Sequence, residues 1–206
     1  MCKAFGTEAD EAAGHPNQFE ARISGPCYLE GFRGNRFNSP FVNATASYHH
    51  YADAINYISS IDFSGKNLLL KCVEADFSGD VIVTGVRAIV LLERYITSPY
   101  MRLIESEVHF SDIGQYMDQL RNCLQKWSRD PTSLLNGTAL LFPNIPPHQD
   151  TLQQHLLHEV SQDLEESTHI LLGILCAALL GVVEKQLSDH LPVGVFLNPS
   201  QMRCPQ

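Results

Sequence analysis

The stretch "ILLGILCAALLGVV", residues 170–183, contains no charged or strongly polar side chain. No other feature narrows the possible folds so far. Such a run crosses a membrane, or sits where other elements cover it on every side. Its 14 residues reach about 21 Å as a helix, against roughly 30 Å of bilayer hydrocarbon. Acids flank it on both sides, in "DLEEST" and "EKQLSD", and the Lys/Arg and Trp/Tyr anchors of a span are missing. The expectation is no membrane span but a central core helix. Gly173, Cys176, Ala177 and Gly181 are small enough to let neighbouring helices approach it closely.

The remaining periodicities are also helical. Phe41, Ala44, Tyr48, Tyr51, Ile55 and Ile58 predict a helix over about 40–60, opened by Ser39 and Pro40. Asn67 is placed to cap a short helix in "LLLKCVEADF". "VIVTGVRAIVLLERYIT" is rich in β-branched residues, but its length favours a helix with a stripe at Ile82, Val86, Ile89, Val90, Glu93 and Ile96. "SPYMRLIES" starts another helix by the Ser-Pro device. Ile113, Tyr116, Met117, Leu120, Cys123, Leu124 and Trp127 follow alternating spacings of three and four. "DPTSLLNG" has an aspartate cap, an early proline and a closing glycine. "DTLQQHLLHEVSQDLEE" predicts an amphipathic helix through Leu152, Leu156, Val160 and Leu164, and Thr168 a cap for the apolar helix. No strand pattern, repeat or low-complexity tract stands out. The expectation is an all-α fold: one globular domain of roughly eight helices over 28–197, a flexible N-terminal tail over 1–27 and a C-terminal tail over 198–206.

Charge bears on partners. The chain carries 14 Lys and Arg against 23 Asp and Glu, a formal net charge of −9. Phosphate-binding proteins show the opposite sign. Between Asp150 and Asp189 seven acids face one base, Lys185. Binding to duplex DNA is therefore expected to be weak or absent, and a protein partner is favoured. Six cysteines, none in a C-x-x-C pair, point to a reducing compartment, the nucleus or cytoplasm. Cys72, Cys123 and Cys176 fall in apolar helical patterns, where a free cysteine acts as a small hydrophobe. The N-terminus has no apolar stretch of secretory-signal type.

Candidate sites are few. His155 and His158 stand three apart beside Glu159, a spacing that fits neither zincin order and offers no third ligand. His49-His50 lies among tyrosines. Asp62, Glu74 and Asp76 read as helix-surface acids, because carboxylates that share two metal ions usually converge at strand ends. No nucleophile elbow, phosphate loop or dinucleotide fingerprint occurs. No catalytic residue, metal or cofactor is expected. The loop "GFRGNRF" is the one candidate contact: its Arg33, Asn35 and Arg36, together with Lys66, could hold a phosphate or a partner's acids.

"FRGNRFNSPFVNATASYHHYADAINYI" resembles a tract in hAT-like transposases of animal mobile elements, where a short Arg-aromatic-Asn motif opens a helix. The order of later words is also similar: "LLLKCVEADF", "TGVRAIVLLERYITSPYMRLIE", "SDIGQYMDQLRNCLQKWSRDPTSLLNGTALLFP" and "EKQLSDHLPVGVFLNPS". The likeness spans about residues 28–200. It implies the helical insertion of an RNase H-like transposase, whose catalytic acids lie on flanking strands and map to no residue here. No cysteine-histidine spacing fits the family's zinc finger. Val193-Gly194 stands where the family often has Gly-Gly. The resemblance thus implies a truncated or domesticated, non-catalytic interaction module. Two alternatives stay open: a hydrolytic or metal-dependent enzyme with an unrecognised His/Asp/Glu site, and a helical adaptor unrelated to transposons.

Overall fold

Asn67 does what its position predicts. In the computed structural model its side chain accepts the Leu70 N–H at 3.0 Å and opens a helix over Leu68–Phe77. The structure describes residues 1–6, 15–30, 39–62, 65–106, 113–147, 152, 157 and 160–191. Among these every regular element is helical and no strand forms, apart from a lone bridge between Phe142 and Ile145. The all-α expectation holds. Contacts gather the chain into two units, residues 1–90 with 150–158, and residues 91–149 with 159–206.

The first unit holds α1 (Cys2–Phe5), α2 (Pro16–Glu20), α3 (Ser39–Ser59), α4 (Leu68–Phe77) and most of α5 (Asp80–Leu92). Its core corrects the expectation of a flexible tail over 1–27. Ala4, Phe5, Phe19 and Leu29 are fully buried with Ala54, Tyr57 and Ile58 of α3 and Leu70 and Val73 of α4. Phe5 stacks on Phe19 at 4.5 Å, and Tyr57 meets both rings edge-on at 5.7 and 5.8 Å. Helices of four and five residues are too short to show a period, so only tertiary packing marks them. Gly6 is required here: a Cβ would lie 2.5 Å from the Cys2 carbonyl oxygen and 2.6 Å from that of Glu30. On α3 the buried face takes in His50, Ala54 and Tyr57, while Phe41, Tyr51 and Ile55 of the expected stripe are half-buried.

Residues 80–105 form one helical run of three parts: α5, a π-helical segment Glu93–Thr97, and α6 (Ser98–Glu105). Thr97 and Ser98 keep helical dihedrals, so Ser98-Pro99 does not start a new helix as expected. An interior proline lacks an N–H and crowds the carbonyl four residues back. Here that carbonyl belongs to Tyr95, inside the wider π turn, which relieves the crowding. The helix expected over 81–97 is present, but its buried face is rotated. Val83, Thr84, Arg87, Ala88 and Val90 are buried, whereas Ile82 and Ile89 are exposed.

The second unit is built on α7 (Ile113–Trp127), α8 (Thr132–Leu135) and α9 (Gln162–Gln186), with a 3-10 turn at Ser188–His190. Met117, Leu120, Leu124 and Trp127 are buried on α7 as the spacing predicts. The Trp127 indole N–H donates to Ser133 Oγ at 2.9 Å, which satisfies its one polar atom. Asp130 Oδ1 accepts from the Thr132 N–H at 3.0 Å and its hydroxyl at 2.5 Å, but the N-cap of α8 is Pro131 and not the aspartate expected, which holds the first residue from one position further out. Gly137 follows with φ +80°, a value that favours glycine.

Helix α9 differs from expectation at its start. Its cap is Ser161, whose Oγ accepts the Leu164 N–H at 3.3 Å. Thr168 is interior and fully buried, and its hydroxyl donates to the Leu164 carbonyl at 2.6 Å. Leu164 therefore belongs to α9 and not to the amphipathic helix expected before it, most of which lies outside the described residues.

Candidate functional site

The helix that carries the apolar tract is not covered on every side. Its buried stripe is Leu164, Thr168, Leu172, Cys176 and Val183, mostly four residues apart, and α7 and α8 pack against α9. The opposite face is open. Ile170, Ile174 and Val182 are 57%, 60% and 56% exposed, and Ala177, Ala178 and Gly181 are exposed beside them. This corrects the expectation of a central hub. The sequence shows how apolar the helix is all round, but not that only one stripe finds partners. The helix also has 25 residues, so it reaches about 37 Å rather than the span of the apolar tract alone. By length and composition it is able to cross a membrane: its most apolar 18-residue window has mean hydropathy 1.9, and only 22% of that window is buried.

A shallow groove of about 310 Å³ runs along one edge of this face. Arg129 and Pro131 line it from the turn before α8, and His169, Ile170, Gly173 and Ala177 from α9. A Cβ on Gly173 would come to 3.5 Å from the Ser128 carbonyl, so a small residue there keeps the turn close to α9. A second groove of about 320 Å³ lies nearer the start of α9, between Thr132, Leu135 and Asn136 on one side and Glu165, Glu166 and His169 on the other. His169 Nε2 stands 3.7 Å from Asp130 Oδ1 between them.

Hydrolysis would need that His–Asp pair to serve a nucleophile. Ser128 lines the groove, but its hydroxyl donates to the Gln125 carbonyl at 2.9 Å. The hydrogen bonds from Thr132, first its hydroxyl and then its N–H, hold the exposed Asp130 carboxyl below the usual range. That carboxylate is committed to holding the first residue of α8. Cys176, the thiol on this helix, faces inward, and burial pushes its pKa up to about 12, so it is no thiolate nucleophile. What remains is an apolar surface with charge at its ends: Asp163 and Glu166 at the start, Glu184 and Lys185 at the finish, all exposed.

Of the contact residues singled out from sequence, only Lys66 lies among the described residues. Arg33, Asn35 and Arg36 lie outside the described residues, as do His155, His158 and Glu159. Lys66 Nζ lies 2.7 and 3.0 Å from the two carboxylate oxygens of Glu74. Glu74 is thereby the partner of Lys66 and not a metal ligand. His50 is buried, and its Nε2 accepts the Tyr28 backbone N–H at 3.2 Å. Its Nδ1 faces Asp53 at 3.4 Å. Among the described residues no group of three or more His, Cys, Asp or Glu converges as a metal site. Cys72 is exposed rather than part of an apolar face. No family model, curated protein or solved structure matches this chain.

Proposed function

We propose that this chain is a non-catalytic interaction module whose binding surface is the open face of α9. The observation that carries the reading is the exposure of Ile170 and Ile174, one turn apart, and of Val182 further along the same long, capped helix. Water-exposed apolar faces of this kind mark surfaces that another molecule covers. The partner is a protein, because Asp163, Glu166, Glu184 and Lys185 bring charge of both signs to the ends of the face. Duplex DNA is disfavoured by the net charge of −9 and by the engagement of Lys66 with Glu74. Scattered cysteines fit a reducing compartment, the nucleus or cytoplasm. Descent from a transposase belongs to the same proposal. A helical insertion freed from its catalytic strands would keep apolar faces that a larger parent once covered.

Site-specific photo-crosslinking in cells tests this. A photoreactive residue at Ile174 is expected to give protein adducts, while one at Gln125, exposed on α7, gives none. Adducts to lipid at Ile174, with carbonate-resistant membrane partition, would overturn the reading in favour of a membrane helix.

A further inference from the structure

We infer that the open face of α9 pairs with the same face of a second copy of this chain, in antiparallel orientation; this deepens the interaction reading and rests on it. Helical spacing puts Glu166, Ile170, Ile174, Ala177, Gly181 and Lys185 on one side of α9, opposite the buried Leu172 and Cys176. The start of that side is acidic, with Asp163 and Glu166, while its finish carries Lys185 beside Glu184. Antiparallel pairing centred between Leu175 and Cys176 brings Glu166 of one copy level with Lys185 of the other, twice over by symmetry. Parallel pairing instead stacks like charge on like charge.

The same register makes the apolar residues complementary. Ile170 falls opposite Gly181, and Ile174 opposite Ala177. Both isoleucines meet a small residue, while Val182 falls opposite His169, so the two backbones approach closely in the middle of the pair. A Cβ on Gly181 meets nothing within 4 Å inside its own chain. That position is free space for a neighbour's side chain. Arg129, exposed at the edge of the groove, adds a cation near the level reached by Glu184 of the second copy. One helix pair covers less surface than a standard protein interface, so association falls in the micromolar range.

Sedimentation velocity of the full chain, from about 1 to about 200 µM, brackets such an equilibrium. The wild type is expected to shift from monomer to dimer. Gly181→Leu is expected to stay monomeric with an unchanged helical spectrum, because leucine is the better helix former and its Cβ would meet nothing within 4 Å in its own chain. Glu166→Lys and Lys185→Glu should each weaken pairing at least about threefold, and the double exchange should restore it. A wild type that is monomeric throughout, a Gly181→Leu chain that dimerises unchanged, or a double exchange without recovery overturns self-pairing. Crosslinks at Ile174 separate the two failures. Adducts to a second copy support self-pairing, adducts to a different protein overturn self-pairing and keep the interaction reading, and adducts confined to lipid or crosslinks within a single molecule overturn both.

Discussion

His50 Nε2 accepts the Tyr28 backbone N–H at 3.2 Å, which fixes the proton of the neutral imidazole on Nδ1, toward Asp53. Burial lowers the His50 pKa from the ordinary 6.5, and the Asp53 hydrogen bond and charge oppose that only in part. The folded state therefore binds this proton less readily than the unfolded chain. Stability from His50 is present above about 6.5 and is lost as pH falls through the lower folded value. Urea midpoints should drop on acidification from neutrality. His50→Gln, whose amide oxygen can accept the same N–H, should show a shallower drop. An identical slope in both proteins would show that His50 plays no part.

Gly6 is placed where no side chain fits. Its Cβ would press on two backbone carbonyl oxygens, of Cys2 and Glu30, at 2.5 and 2.6 Å. Backbone yields less easily than a side-chain end, so Gly6→Ala should destabilise the first unit by about 1–3 kcal/mol. Chemical denaturation measures it. A change within about 0.5 kcal/mol, the level of an ordinary surface substitution, would contradict the packing of the N-terminal segment.

The two faces of α9 should respond differently to truncation. Leu172 is fully buried, so Leu172→Ala should cost about 2–5 kcal/mol. Ile174 is 60% exposed, and Ile174→Ala at concentrations where the chain is monomeric should stay within about 0.5 kcal/mol. Equal costs would mean that the open face is covered within the monomer.

Thiol reactivity offers a direct map of burial. In a Cys204→Ser background, Cys72 should react with an aromatic disulfide reagent ahead of the other cysteines, because it is exposed. Cys2 and Cys176 are buried, burial raises both pKa values, and they should react only after unfolding. Labelling of Cys176 at the rate of Cys72 in the folded protein would refute the inward orientation of Cys176.

Fluorescence anisotropy on duplex DNA at about 150 mM salt should show binding no tighter than roughly 10⁻⁴ M. Submicromolar affinity that disappears in an Arg33→Ala/Arg36→Ala variant would reverse the assignment of partner class.

Helix periods were legible wherever one face meets a core, as with Met117, Leu120, Leu124 and Trp127. The cap made by a single side chain, Asn67, was legible too, because the donor lies within three residues. Phe5 and Phe19 were not, since their partners lie on α3 and α4 and no local pattern announces them. Nor was the rotated face of α5: with apolar residues all around, Ile82 and Val83 look alike until packing chooses between them. The candidate surface on α9 was half legible. Its apolarity could be read from "ILLGILCAALLGVV", but not which side of it would be left without neighbours.

The π turn at Glu93–Thr97 holds one residue more than the regular helix it interrupts. Removing one residue between Leu92 and Pro99 would therefore leave an uninterrupted α-helix, and with it bring back the crowding of the proline ring against the carbonyl four residues before it.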